Sequence, residues 1–136
     1  VSKHSNREKE VMLHLQKNYK GIRVWRFDVG MAYALHTVKD ALQEYKRTGS
    51  ITQAMTKLQR ITYGVNGFPD LAGIYYGIFI GIEIKVGKDK QRKEQKIMEK
   101  VIKEAGGIYI LLTDKEPIES QLQPLKGIER WIKSQQ

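Results

Sequence analysis

The chain has 136 residues, a formal charge of +9 and no cysteine. That length suits one domain burying about two-thirds of its unfolded surface, and the missing thiols exclude disulfides, thiolate zinc sites and cysteine nucleophiles. A sequence pI near 9.7, with basic residues spread through the chain, favours a polyanionic partner, nucleic acid ahead of an acidic membrane surface.

No apolar run approaches about 18 residues and the N-terminus is polar, so neither a membrane span nor a signal peptide is expected, and the chain reads as soluble and cytoplasmic. Ser5 precedes Val11, Met12 and Leu15 at helical spacing, which predicts an amphipathic helix over 6–18. Ile22, Val24 and Trp25 then start a strand. Residues 31–47 read as a second helix, Thr48-Gly49-Ser50 as a break with Ser50 as N-cap, and 51–59 as a short third helix. Positions 61–63 are a further strand before Gly64-Val65-Asn66-Gly67.

Two strands follow at 70–75 and 78–85, then a basic loop at 87–90 and a helix over 91–105. Met98, Val101, Ile102 and Ala105 share one face of that helix, and Gly106-Gly107 stops it. Positions 108–112 form a buried strand, and 118–134 a C-terminal helix with Pro124 in its first turn. The order is that of a single mixed α/β domain. Its core is expected over about 6–30 and 60–112, with a helical insertion at 31–59.

The segment from Gly67 to Lys85 carries the chemistry. Ile78, Ile80, Ile82 and Ile84 alternate with Phe79, Gly81, Glu83 and Lys85, so the isoleucines face the core and the second set faces the other side. Tyr76-Gly77 is the expected reversal, with Gly77 at positive φ. A two-residue loop closed by Tyr75 and Ile78 sets Asp70 opposite Glu83. Two facing carboxylates repel each other and call for a cation; oxygen ligands select Mg²⁺, Mn²⁺ or Ca²⁺. Lys85, on the face of Glu83, is placed to steady an attacking water or the charge developing on a phosphate.

Glu-x-Lys alone is weak evidence, because Glu44-Tyr45-Lys46 and Glu94-Gln95-Lys96 repeat it in helix-like, charge-rich stretches. The hairpin register after Pro69-Asp70 singles out Glu83-Ile84-Lys85. Together with a helix beginning Gln91-Arg92-Lys93-Glu94-Gln95 and running into Ala105-Gly106-Gly107-Ile108-Tyr109-Ile110, these residues resemble the PD-(D/E)xK nuclease superfamily. The chain is most similar to its small stand-alone VRR-Nuc (virus-type replication-repair nuclease) domains, which are common in phages.

The resemblance implies a restriction-endonuclease-like mixed sheet flanked by helices, and a Mg²⁺-dependent endonuclease in which Mn²⁺ substitutes. It implies Asp70 and Glu83 as metal-binding acids, the Ile84 carbonyl as a further ligand, Lys85 as the catalytic lysine and Gln95 as a catalytic glutamine, with Gln91 as runner-up. A first-helix acid also reaches the metal in many relatives. The opening Glu8-Lys9-Glu10-Val11, similar to archaeal-type Holliday junction resolvases, offers Glu8 ahead of Glu10. The partners implied are DNA and a second copy of the chain in a homodimer; no membrane and no small-molecule cofactor is expected, and action inside a host cell is implied.

Lys88, Lys90, Arg92 and Lys93 cluster beyond the catalytic strand as candidate DNA-backbone contacts. His4, His14 and His36 are scattered without metal-ligand spacing and read as ordinary surface or core residues, and Asp28 as a turn carboxylate. The leading reading is a structure-selective DNA endonuclease acting on branched or duplex DNA. The alternatives are a sequence-specific restriction or homing-type endonuclease, with base-reading loops in the insertion, and a non-catalytic nucleic-acid binding domain on the same fold. The insertion has three candidate roles: a dimer surface, a DNA-gripping arm or a cap on the sheet.

Overall fold

A computed structural model describes residues 2–28 and 30–136. In chain order the elements are α1 (Lys3–Asn18), β1 (Arg23–Arg26), β2 (Gly30–Tyr33), α2 (Leu35–Thr48), α3 (Ile51–Met55), β3 (Arg60–Tyr63), β4 (Leu71–Tyr75), β5 (Ile78–Lys85), α4 (Lys93–Glu104), β6 (Ile108–Thr113) and α5 (Gln123–Ser134). They fall into two compact units, Val1–Asp28 with Asn66–Gln136, and Val29–Val65.

The larger unit is built on a four-stranded mixed sheet in the order β1-β4-β5-β6. β4 pairs antiparallel with both β1 and β5, and β6 lies parallel to β5. The parallel step follows from α4, which returns the chain to the starting end of the sheet. Ile80, Ile82 and Ile84 of β5 are fully buried and pack with Val11 and Leu15 from α1, Tyr19 at its C-cap, and Leu125 and Ile128 from α5. The isoleucine face is thus the core, as the alternation predicts. On the opposite face Gly81 lies under α4 and the Pro69 ring: a Cβ there would stand 2.8 Å from Pro69 Cγ and 3.3 Å from Ile102 Cδ1.

α1 begins earlier than the sequence suggests. Its N-cap is Ser2, whose hydroxyl oxygen accepts from Ser5 N at 3.1 Å. Ser5 lies inside the first turn, because the extended backbone a cap requires belongs to Ser2. α4 instead starts later, at Lys93 and not 91, with Arg92 as its N-cap. The C-terminal segment opens with a single 3₁₀ turn, Glu119–Gln121, before α5, and Pro124 does sit in the first turn of that helix.

In the smaller unit, residues 31–33 are strand instead of helix. β2 pairs antiparallel with β3, Gly30 against Tyr63 through Tyr33 against Arg60. Pairing satisfies the backbone groups of both segments, and this outweighs the local helical preference of Met31-Ala32. β3 therefore belongs with the insertion and not with the main sheet. α3 ends at Met55, short of 59, and Ser50 caps it as expected by accepting from Gln53 N at 3.2 Å. Among the described residues no helix is long and apolar enough to cross a membrane.

Candidate active site

The β4–β5 hairpin has the register read from the sequence. Tyr75 pairs with Ile78 and Leu71 with Ile82, and the loop residues Tyr76 and Gly77 both have positive φ, 49° and 79°, as a tight hairpin loop requires. One step beyond Leu71, Asp70 is held at two points. Its carbonyl accepts from Phe27 N at 3.0 Å, and its Oδ2 accepts from Ile84 N at 2.8 Å.

Glu83 is 2 % exposed. Its Oε1 accepts from Gln95 Nε2 at 2.7 Å and lies 3.6 Å from Lys85 Nζ, while its Oε2 is buried with no hydrogen-bond partner. Burial, and after it the facing Asp70 carboxylate, push the Glu83 carboxyl above the ordinary carboxylate range; Lys85 opposes them. Lys85 is itself buried, with Nζ also 3.5 Å from Asp89 Oδ2.

Gln95 is buried in the first turn of α4. Besides donating to Glu83, it accepts from Arg92 N through Oε1 at 2.8 Å, so both ends of its amide are engaged. Gln91, the runner-up, turns elsewhere and donates to Glu99 Oε1 and the Tyr109 hydroxyl. Of the two first-helix acids, Glu8 is buried and Glu10 is exposed, paired with Arg7 at 3.2 Å. Glu8 Oε1 is bound by Arg26 Nε. Its carboxyl is raised chiefly by burial, with Arg26 pulling it down and the nearby Asp70 adding to the rise.

The sequence reading missed His4. Its Nε2 stands 3.1 Å from Asp70 Oδ2 and 3.0 Å from Ile84 O, and its Nδ1 stands 3.8 Å from Glu8 Oε2. One donor atom each from His4, Glu8 and Asp70 lie within 4.8 Å of one another. The signal was the four-residue spacing of His4 and Glu8, which has meaning only once the helix is known to start before His4. Arg26 was missed as well, although it partners the buried Glu8. The other histidines behave as expected: His14 bonds Glu119 at 2.6 Å and His36 is exposed. Asp28 is exposed, 3.8 Å from Arg26.

Lys88, Lys90 and Arg92 are exposed on the segment that links β5 to α4, and Lys93 is exposed at the first position of α4. The site therefore joins three carboxylates, a backbone carbonyl, an imidazole and a buried ammonium at one end of β5, beside an exposed basic loop. Among the described residues, His4, Glu8 and Asp70 are the group whose donor atoms lie close enough together to hold a metal ion. Comparison with protein families, with curated proteins and with solved structures finds no match for the chain.

Proposed function

We propose that the chain is a divalent-metal-dependent DNA endonuclease that hydrolyses phosphodiester bonds, selective for branched or duplex DNA structure. The observation that carries this reading is the buried, unpartnered Glu83 oxygen beside Asp70, with Lys85 Nζ 3.6 Å from the same carboxylate. Burying the Glu83 carboxylate and the Lys85 ammonium beside a third charge, Asp70, costs stability, and such costs gather at functional sites. The likeness of these residues to the PD-(D/E)xK pattern points the same way.

Asp70, Glu83 and the Ile84 carbonyl would hold the ion, with Glu8 reaching in from α1. Mg²⁺, or Mn²⁺ in its place, supplies a Lewis acid for the phosphate and lowers the pKa of water. The remaining work falls to the chain. The hairpin fixes the spacing of Asp70 and Glu83, and Gln95 fixes the Glu83 rotamer from behind. Lys85 offers its charge to the attacking oxygen or to the phosphate. Lys88, Lys90, Arg92 and Lys93 offer salt-dependent, sequence-independent contacts to the DNA backbone.

Cutting both strands requires two such sites, and we read the active form as a homodimer. Trp25, Phe27, Ile74 and Phe79 support an association surface: they are exposed apolar side chains on or beside β1, β4 and β5, and all four line one open hollow.

The test uses plasmid, Holliday junction, flap and linear duplex DNA with Mg²⁺, Mn²⁺ or EDTA, and compares the wild type with Asp70→Ala. Cleavage that needs the metal and disappears in the variant is expected, with the branched substrates ranked first. If no substrate is cut and the two proteins bind DNA equally, the catalytic reading fails.

A further inference from the structure

We propose that the tip of the β4–β5 hairpin is a second nucleic-acid site, where the Tyr76 ring stacks on an unpaired base and Lys20 and Lys133 take the flanking phosphates. The inference rests on the DNA-binding part of the reading above and not on its metal.

The first observation is a backbone cost. Tyr76 has φ 49°, and among the described residues it is the one non-glycine at positive φ. A two-residue hairpin loop of this kind needs positive φ at both central positions, and asparagine, aspartate or glycine meets the first of them with little strain. A bulky ring there is an outlier, and strained backbone of this sort gathers at functional sites.

The second observation is the setting of the ring. Tyr76 meets Tyr75 at 4.7 Å between centroids, yet it remains 54 % exposed. Packing on its neighbour therefore leaves more than half of the side chain to solvent. Tyr75 is the fixed member of the pair: it is buried, and its hydroxyl donates to Glu129 Oε1 at 2.8 Å. An exposed ring backed by an immobile one is what a stacking platform requires.

The third observation is charge. Lys20, in the turn after α1, and Lys133, in the last turn of α5, line one groove with Tyr76. Both are exposed, and neither has an ion-pair partner among the described residues. The acid of the groove, Glu129, is already matched by the Tyr75 hydroxyl and by Lys126 Nζ at 3.6 Å. Positive charge thus remains beside an aromatic face, the combination that holds single strands without reading their sequence. Bases of an intact duplex stack on one another and are closed to Tyr76. The ligand class is therefore single-stranded nucleic acid, as a flap or an opened branch presents it. Asp70 lies at the other end of β4, about 20 Å away along the strand, so the groove is separate from the acids.

The experiment titrates the full chain, in EDTA, into a fluorescent dT strand of about 12 nucleotides and into a duplex of the same length. Tyr76→Asn should weaken single-strand binding about 5-fold or more and leave duplex binding unchanged. The same variant should raise the thermal midpoint by about 2–4 °C, because the turn strain is relieved. Tyr76→Phe should bind as the wild type does. Replacing Lys20 and Lys133 together by Gln should lower the single-strand salt slope by about 1.4. With an iodouracil-substituted strand, the photocross-link on the wild-type chain should map to Tyr76, a readout that needs no variant to fold. Single-strand binding that is unchanged in Tyr76→Asn, or weakened equally for the duplex, or a cross-link that maps elsewhere, overturns the stacking site and leaves the DNA-binding reading standing. A wild-type chain that binds neither DNA overturns both.

Discussion

Gln95 connects Glu83 to the start of α4: its Nε2 donates to Glu83 Oε1 at 2.7 Å, and its Oε1 accepts from Arg92 N at 2.8 Å. One buried amide thus caps a helix and sets the rotamer of an acid on the adjacent strand. Each end makes one bond and the side chain is only 4 % exposed, so in this structure its contribution is to position Glu83.

Gln95→Ala should therefore show two losses together. Removing the cap is expected to cost about 0.5–2 kcal/mol of stability, read from urea unfolding. Removing the bond to Glu83 should slow metal-dependent cleavage about 10–100-fold. A variant with normal cleavage would show that Glu83 keeps its place without Gln95.

Glu83 sets a pH dependence on the metal-free protein. Its carboxyl is raised by burial first and by Asp70 second, so the folded chain binds that proton more tightly than the unfolded chain. Stability is then greatest while Glu83 is protonated, and falls as the pH rises from the ordinary glutamate value of about 4.3 through the raised one. In Glu83→Gln that fall should flatten, leaving the variant about 1–2 kcal/mol more stable than wild type at the alkaline end. Unfolding curves across pH with EDTA decide it, and superimposable profiles would sink the explanation.

Gly81 is the place where β5 gives way to its neighbours. A Cβ there would meet Pro69 Cγ at 2.8 Å and Ile102 Cδ1 at 3.3 Å. Gly81→Ala is expected to destabilise by about 1–3 kcal/mol through overpacking. Because Pro69 directly precedes Asp70, Mn²⁺ affinity should weaken as well. Calorimetric titration checks this, and unchanged affinity in a destabilised protein would confine Gly81 to packing.

The exposed loop should govern how salt affects DNA binding. Each phosphate contact contributes about 0.9 to the slope of log affinity against log salt on duplex DNA. Replacing Lys88, Lys90, Arg92 and Lys93 by Gln should lower that slope by about 2–4, equally across DNA sequences and without moving the thermal midpoint. An unchanged slope would direct the search to other basic residues.

How much of this was legible in the chain depends on range. The hairpin was readable because alternation from Ile78 to Lys85 and the Tyr76-Gly77 loop are local, and together they fix the partner of every residue in the turn. Gln95 was readable because three residues separate it from Met98, on the inner face of its helix. β2 was not, since Gly30–Tyr33 becomes a strand only through Arg60–Tyr63, a pairing about 30 residues away. His4 was hidden by a choice between two serines: with the cap assigned to Ser5 it lay outside the helix, and with the cap at Ser2 it faces Asp70. The bond from Arg26 to Glu8 is also long-range, and nothing in either segment announces it.

The first two turns of α1 carry His4 and Glu8, and helix starts are where local opening is easiest. Arg7 counters this by donating to the carbonyls of Thr113 and Glu116 at 2.9 and 2.7 Å, which moors the turn past the end of β6. Order at the beginning of α1 is thus tied to the contacts that His4 makes with Asp70 and Ile84. Amide exchange at Arg7 and Glu8 becomes a reporter of events at a hairpin more than sixty residues away, and any ligand that slows it stabilises the opening of the chain.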